Sequence, residues 1–208
     1  CPNLSGVVIL LRQYVVENFP EIADDNVKVS AMVNQLMMST ADIIYNTNGL
    51  PYAVRKQGAG LANLLSAIRT TAYITTYDKD GKAMDKTKLE LGDDPSKTGR
   101  YELHFTVTNF GDETLTYNVD TYVMTEGVSD TKTNSGKTTV TEESYLLDAS
   151  AVLTHSDGKG GGIKDGKLIV YAGGSLDLTV TVTLTEEDKA YLDASFKNGM
   201  YVEGFVTL

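Results

Sequence analysis

The chain is short of several things, and each shortage excludes something. A single cysteine, Cys1, rules out an internal disulfide and any cysteine-based metal cluster. There is no tryptophan, and without a cysteine pair either, nothing marks the immunoglobulin form of a β-sandwich. Basic residues are few: 18 Lys and Arg face 28 Asp and Glu, a formal charge of -10. That balance repels phosphate backbones and anionic lipid surfaces, so nucleic acid is not an expected partner. The longest apolar run, Val7 to Leu11, falls far below the roughly 20 residues of a membrane span. A length of 208 residues allows one large or two modest domains, either able to bury a core.

What is present divides by period. Over Cys1 to Val16, Leu4, Val7, Val8, Leu11, Tyr14 and Val15 recur at helical spacing, while Ile9 and Leu10 fill the opposite side. A helix apolar nearly all round belongs in an interior. Pro2 suits its first turn, and Pro20 follows as a stop. The opening Cys, with no Met before it, reads as a cut in a longer chain. Asp24 or Asp25 can cap a second helix through Val29, Met32, Val33, Leu36 and Met37 to about Ala41, its methionines serving as core filling. Asn48-Gly49 and Pro51 mark a turn, and Gly58 and Gly60 permit a tight bend before a short helix, Leu61 to Ser66.

Past Ile68 the period changes to two. Leu103, Phe105 and Val107 alternate with Glu102, His104 and Thr106; Leu176 to Leu184 alternates with Asp177, Thr179, Thr181 and Thr183. Further strands are expected at Ala72–Tyr77, Lys86–Leu91, Leu115–Met124, Tyr145–Leu153, Lys167–Tyr171 and Tyr201–Thr207, with a helix from Glu186 to about Ala194 capped by Thr185 and Asp188. The fold class is α+β: a helical segment, 1–68, followed by an antiparallel sandwich of the fibronectin type III kind, 69–208.

No residue stands out as catalytic, cofactor-binding or metal-binding. His104 lies on the wet side of its strand, and His155 precedes the loop signature Ser156-Asp157-Gly158; both read as solvated surface histidines, with no nucleophile elbow nearby. Asp78-Lys79-Asp80-Gly81 brings its glycine too early for an EF-hand and is better read as a hairpin turn. Gly58-Ala59-Gly60 lacks the third glycine and the Lys-Ser/Thr pair of a phosphate cradle, which leaves close packing. Gly160-Gly161-Gly162 and Gly127 to Thr141 are expected to be mobile surface loops. Asn3-Leu4-Ser5 is a glycosylation sequon, but at the start of a buried helix it carries little weight.

Three segments together resemble one family. Cys1-Pro2-Asn3-Leu4-Ser5-Gly6 opening an interior helix is similar to the segment directly after the nucleophilic serine of subtilisin-like serine proteases. Gln57-Gly58-Ala59-Gly60, followed by Leu61-Ala62-Asn63-Leu64-Leu65, looks like the turn that opens the last catalytic-domain helix of that family. Asn198 to Val206 resembles a strand closing the first fibronectin type III-like domain of the cell-envelope subtilases, such as the streptococcal complement-cleaving peptidases and the lactocepins.

The resemblance implies that 1–68 is the helical remnant of a subtilase catalytic domain and that the sandwich braces that domain and aids protein-substrate recognition. It places the nucleophilic Ser three residues before Cys1, and the triad Asp and His farther upstream, so this chain alone is expected to be inactive. It also implies a bacterial extracellular or cell-wall location and no cofactor. The implied partners are the upstream catalytic domain and a protein substrate. The first helix, which in the family packs on a sheet absent here, must fold onto the sandwich or pair with a second copy of the chain. A reading of another class is an adhesin-type binding module in which the helices are a docking arm.

Overall fold

In the computed structural model, residues 2–129, 139–156 and 158–208 are described. Cys1, Asp157 and residues 130–138, the middle of the expected Gly127–Thr141 loop, lie outside them. The first helices follow from their caps and spacing. Helix α1 spans Pro2–Asn18 and buries Leu11 and Val15. Helix α2, Asn26–Ser39, begins where the Asp25 carboxylate accepts from the backbone N–H groups of Val27 and Lys28, and it buries Val29, Val33 and Leu36. One short turn, α3, covers Val54–Gln57. Helix α4 is Leu64–Arg69, three residues later than the spacing predicts. The reason is local: Leu61 pairs with Asp42 in a two-way backbone bridge, and Asn63 supplies the cap by accepting from Ser66 N–H at 3.0 Å.

Among the described residues, ten strands follow or interleave. A four-stranded antiparallel sheet has the order β1 (Ala72–Thr76), β2 (Arg100–Asn109), β9 (Ser175–Thr183), β6 (Ser150–His155). Facing it are two three-stranded sheets: β10 (Glu203–Thr207), β4 (Asp120–Val128), β5 (Val140–Leu146), and β3 (Leu115–Tyr117), β8 (Lys167–Val170), β7 (Gly161–Lys164). Helix α5, Glu186–Ser195, carries the expected capping box between Thr185 and Asp188. The sandwich core gathers Phe105, Val107, Leu176, Leu178, Val180 and Val182 from the first sheet against Val123, Leu168 and Val170 from the others. The expected α+β class with an antiparallel sandwich holds.

Four expectations change. The strand Leu115–Met124 breaks at Asn118 and Val119, its first part pairing with β8 and its second with β10 and β5. The strand Tyr145–Leu153 breaks at residues 147–149, because the chain crosses there from one layer to the other: Leu147 still donates to Val123, while Ala151 already pairs with Val182. Lys86–Leu91 forms no strand; its alternating charges pair with each other at the surface, as Lys88 does with Glu90 at 2.7 Å, and Leu91 is half exposed. Gly161 and Gly162 are strand residues, not loop, and Gly127 and Thr141 also lie in strands, beside a bulge between Glu126 and Val128.

Helices α1, α2 and α4 lie against the β1 edge of the first sheet. Leu11, Val15, Phe19, Val29, Val33, Leu36 and Ala67 form a second apolar cluster, reaching the sandwich through Tyr73 and Phe110. Phe19 and Phe110 meet edge to face at 5.3 Å, and the tilted Tyr73 ring lies 6.1 Å beyond.

Candidate functional site

The helical layer is closed on one side only. Ile9 is 67% exposed and Leu10 51%, on the side of α1 turned away from the buried Leu11 and Val15. The expected burial of α1 on all sides is therefore corrected: the layer beneath it is one sheet edge wide and cannot cover both faces. Asn3 and Ser5 are exposed as well, so burial does not disqualify the Asn3 sequon.

Between α2 and α4 the chain leaves this layer. Residues 42–60 run to the outer face of the β10–β4–β5 sheet, opposite the sandwich core. There Arg55 bonds Glu126, lies 3.4 Å from Glu203 and stacks its guanidinium over the Tyr201 ring at 4.9 Å. Lys56 sits 3.7 Å from the same Glu126 carboxylate. Tyr45 meets Tyr122 edge to face, and burial against that neighbour raises the Tyr45 phenol above its usual range. Gly60 shows why the Gly-x-Gly turn is needed. At φ +122° a Cβ there would lie 2.3 Å from the Asp42 carbonyl oxygen, so the turn serves close packing, as its sequence suggests.

The two histidines, unrelated in sequence, border one shallow open cleft of about 490 Å³ on the polar face of the first sheet. His104 Nδ1 is 2.9 Å from the Thr179 hydroxyl, and His155, the last residue of β6, holds the Ser156 carbonyl at 2.8 Å. Beside them a chain of hydrogen bonds runs from Tyr77 through Thr106, which donates to the Asp177 carboxylate at 2.6 Å. These groups satisfy one another, and both histidines are exposed, as expected of a wet sheet face. Among the described residues no group of three or more His, Cys, Asp or Glu gathers as metal ligands would, and no helix is long and apolar enough to cross a membrane. Asp78 accepts from Asp80 and Lys82 N–H within a Tyr77–Ala83 hairpin, the turn foreseen for that motif.

Sequence reasoning missed Asn109. Fully buried at the end of β2, it donates to the Glu113, Val170 and Tyr171 carbonyls and accepts from Gly111 N–H, tying the first sheet to β8. It also missed the Arg55–Glu126 pair, whose members are 71 positions apart.

A search of curated proteins finds no match. Among solved structures, the CBM3a-L domain with flanking linkers from scaffoldin cipA of the Clostridium thermocellum cellulosome is similar over 64% of this chain and 72% of that one, at 12% identity and a TM-score of 0.23. A superposition that loose bears on neither fold nor function. The profile described as Fn3-like domain matches residues 89–208, more than half of the chain, and leaves out β1, although β1 pairs with β2 along its whole length. With the antiparallel strands of the described residues arranged as above, the protein belongs to the Fn3-like domain family.

Proposed function

We propose that this chain is the non-catalytic C-terminal portion of a secreted, wall-associated subtilisin-like serine endopeptidase. In this reading the Fn3-like sandwich, 69–208, braces the catalytic domain and aids in holding protein substrates, and residues 1–68 are the helical end of that domain. The observation that carries it is α1. One side of this helix is sealed by Leu11 and Val15, while Ile9 and Leu10 stand exposed on the other, as suits a helix packed between two bodies. The order of helix, Gly-x-Gly turn and sandwich supports the same parent. The exposed side is where the catalytic domain would rest; pairing of two copies through it is the competing outcome.

The gene tests this directly. Codons for Gly-Thr-Ser-Met-Ala immediately before Cys1, with Asp and His motifs earlier, are expected, whereas another sandwich or a repeat in that place would overturn the reading. The purified chain should leave casein and an activated ester intact, and turnover blocked by a serine-reactive phosphonate would equally refute it.

A further inference from the structure

Residues 42–60 behave as a unit within themselves. The Asp42–Leu61 bridge closes their base with backbone bonds of 2.9 and 2.8 Å. The Gln57 side chain donates to the Ile44 and Tyr52 carbonyls and accepts from Ile44 N–H, which fastens the two limbs together. Asn46 does the same at the tip by accepting from Asn48 and Leu50 N–H. Order inside this segment therefore does not depend on what it touches.

Its attachment to the sandwich is concentrated and imperfect. Glu126, 7% exposed, takes both cations, and Arg55 N–H adds a bond to Glu203 at 3.1 Å. At the rim Asn48 reaches Glu143 at 3.1 Å. Against this, the described residues contain four buried side-chain atoms without a hydrogen-bond partner. Three of them belong to the segment or to the sheet face under it: Asn46 Nδ2, Ser144 Oγ and Glu203 Oε1. Asn46 Nδ2 and Ser144 Oγ cost desolvation that no bond returns, whereas Glu203 Oε1 has the Arg55 guanidinium 3.4 Å away. Met124, on the same face of β4 as Glu126 and with no exposure, belongs to neither hydrophobic cluster. It is therefore buried on the outer face of the sheet, the face along which the segment runs.

We propose that residues 42–60 form a strap that opens as one body while both hydrophobic clusters stay closed, with Glu126 as the carboxylate that holds it shut. Its ends stay anchored by α2 and α4 in the helical layer. Opening bares Met124 together with the Glu126 and Glu203 carboxylates. Local opening of this kind is expected of a segment fastened through polar groups, and no residue of 42–60 belongs to either hydrophobic cluster.

Hydrogen exchange on the full chain, read by mass spectrometry, tests it. In the wild type, strap amides should exchange before those of α2 and β9. Glu126→Gln should speed strap exchange by about tenfold or more, leaving α2 and β9 unchanged, since the charge that holds both Arg55 and Lys56 is lost and no core is touched. Glu142→Gln is the control, because its exposed carboxylate lies 3.8 Å from Lys56, and the 3.1 Å bond from Lys56 to the Glu142 backbone carbonyl survives the substitution. An unchanged strap in Glu126→Gln, or equal acceleration of strap, α2 and β9, overturns the proposal. Should that variant fail to fold, brief trypsin treatment of the wild type decides. The first cut is expected after Arg55 or Lys56, with the two pieces still co-eluting on gel filtration, and a first cut within α1 or α2 overturns the proposal.

Discussion

The sandwich core and the helical cluster are both made of aliphatic side chains, yet they are closed in different ways. In the sandwich, period-two strands send every second residue inward from both layers, so Leu168, Val170 and Leu178 meet apolar neighbours on all sides. In the helical layer, α1, α2 and α4 share one seam along β1, and three aromatic rings, Phe19, Phe110 and Tyr73, are the bridge to the rest. A closed core holds itself together. A one-sided cluster is only as deep as its backing, which leaves Ile9 and Leu10 exposed and confines full burial on α1 to Leu11 and Val15.

Cavity-forming substitutions test that contrast most severely. Leu178→Ala, at 2% exposure, should cost about 3–5 kcal/mol and bring down the entire chain in one transition followed by urea and circular dichroism. Leu11→Ala removes the same atoms from the thinner layer, which can relax toward solvent; about 2–3 kcal/mol is expected, with helical signal lost before the sandwich melts. If both variants unfold in a single coincident transition at the same cost, the two clusters form one cooperative unit and the contrast fails.

How much of this could be read from the residues depended on distance. Local periods gave α1, α2, α5 and the strands around Phe105 and Leu178, and caps at Asp25 and Thr185 fell where their hydrogen bonds lie. A period cannot say when a strand changes partners, so the breaks at Asn118–Val119 and at 147–149 were hidden. Composition misled at Gly161. Its glycine reads as a loop signal, but a Cβ there would stand 2.0 Å from the Ile169 carbonyl oxygen of the paired strand. Lys86–Leu91 misled in the other sense, alternating while lying outside every strand. The cleft was half legible: His104 was assigned to the wet face, but only the strand order β2–β9–β6 brings His155 beside it. The strap was not legible, because its fastenings join residues dozens of positions apart.

Smaller effects sharpen the same comparison. Gly60→Ala forces a Cβ against the Asp42 carbonyl in a backbone conformation that L-residues resist, and should cost about 2–3 kcal/mol, felt in the strap and α4 and not in β9 exchange. Thr185→Ala removes half of the capping box of α5, on the sandwich side, for about 1 kcal/mol in the urea midpoint. Ile9→Lys should change the stability of the isolated chain by no more than about 0.5 kcal/mol, since that side chain is two-thirds exposed. A loss of several kcal/mol there would mean that a second copy seals the face, and light scattering would then show a dimer in the wild type alone.

The smallest expected effect is set by two surface carboxylates, one in each region. The backbone N–H of Lys28, helped by that of Val27, holds the Asp25 carboxyl below its usual range against an opposing effect of burial. Those of Gly99 and Thr98 do the same for Asp94, which closes the turn into β2. A carboxyl depressed in the folded chain contributes stability that is present above the unfolded value, near 3.8 for both, and is lost as pH falls through the lower folded value. Below about pH 4, then, each should release part of its own region. Asn in either place keeps the acceptor oxygen but not the charge, so the variants should be flat where the wild type declines. Urea midpoints followed between about pH 5 and 2.5 separate the regions: Asp25→Asn should flatten the helical signal at 222 nm and Asp94→Asn the tyrosine signal of the sandwich. If either substitution flattens both signals together, acid couples the two regions more tightly than their packing implies.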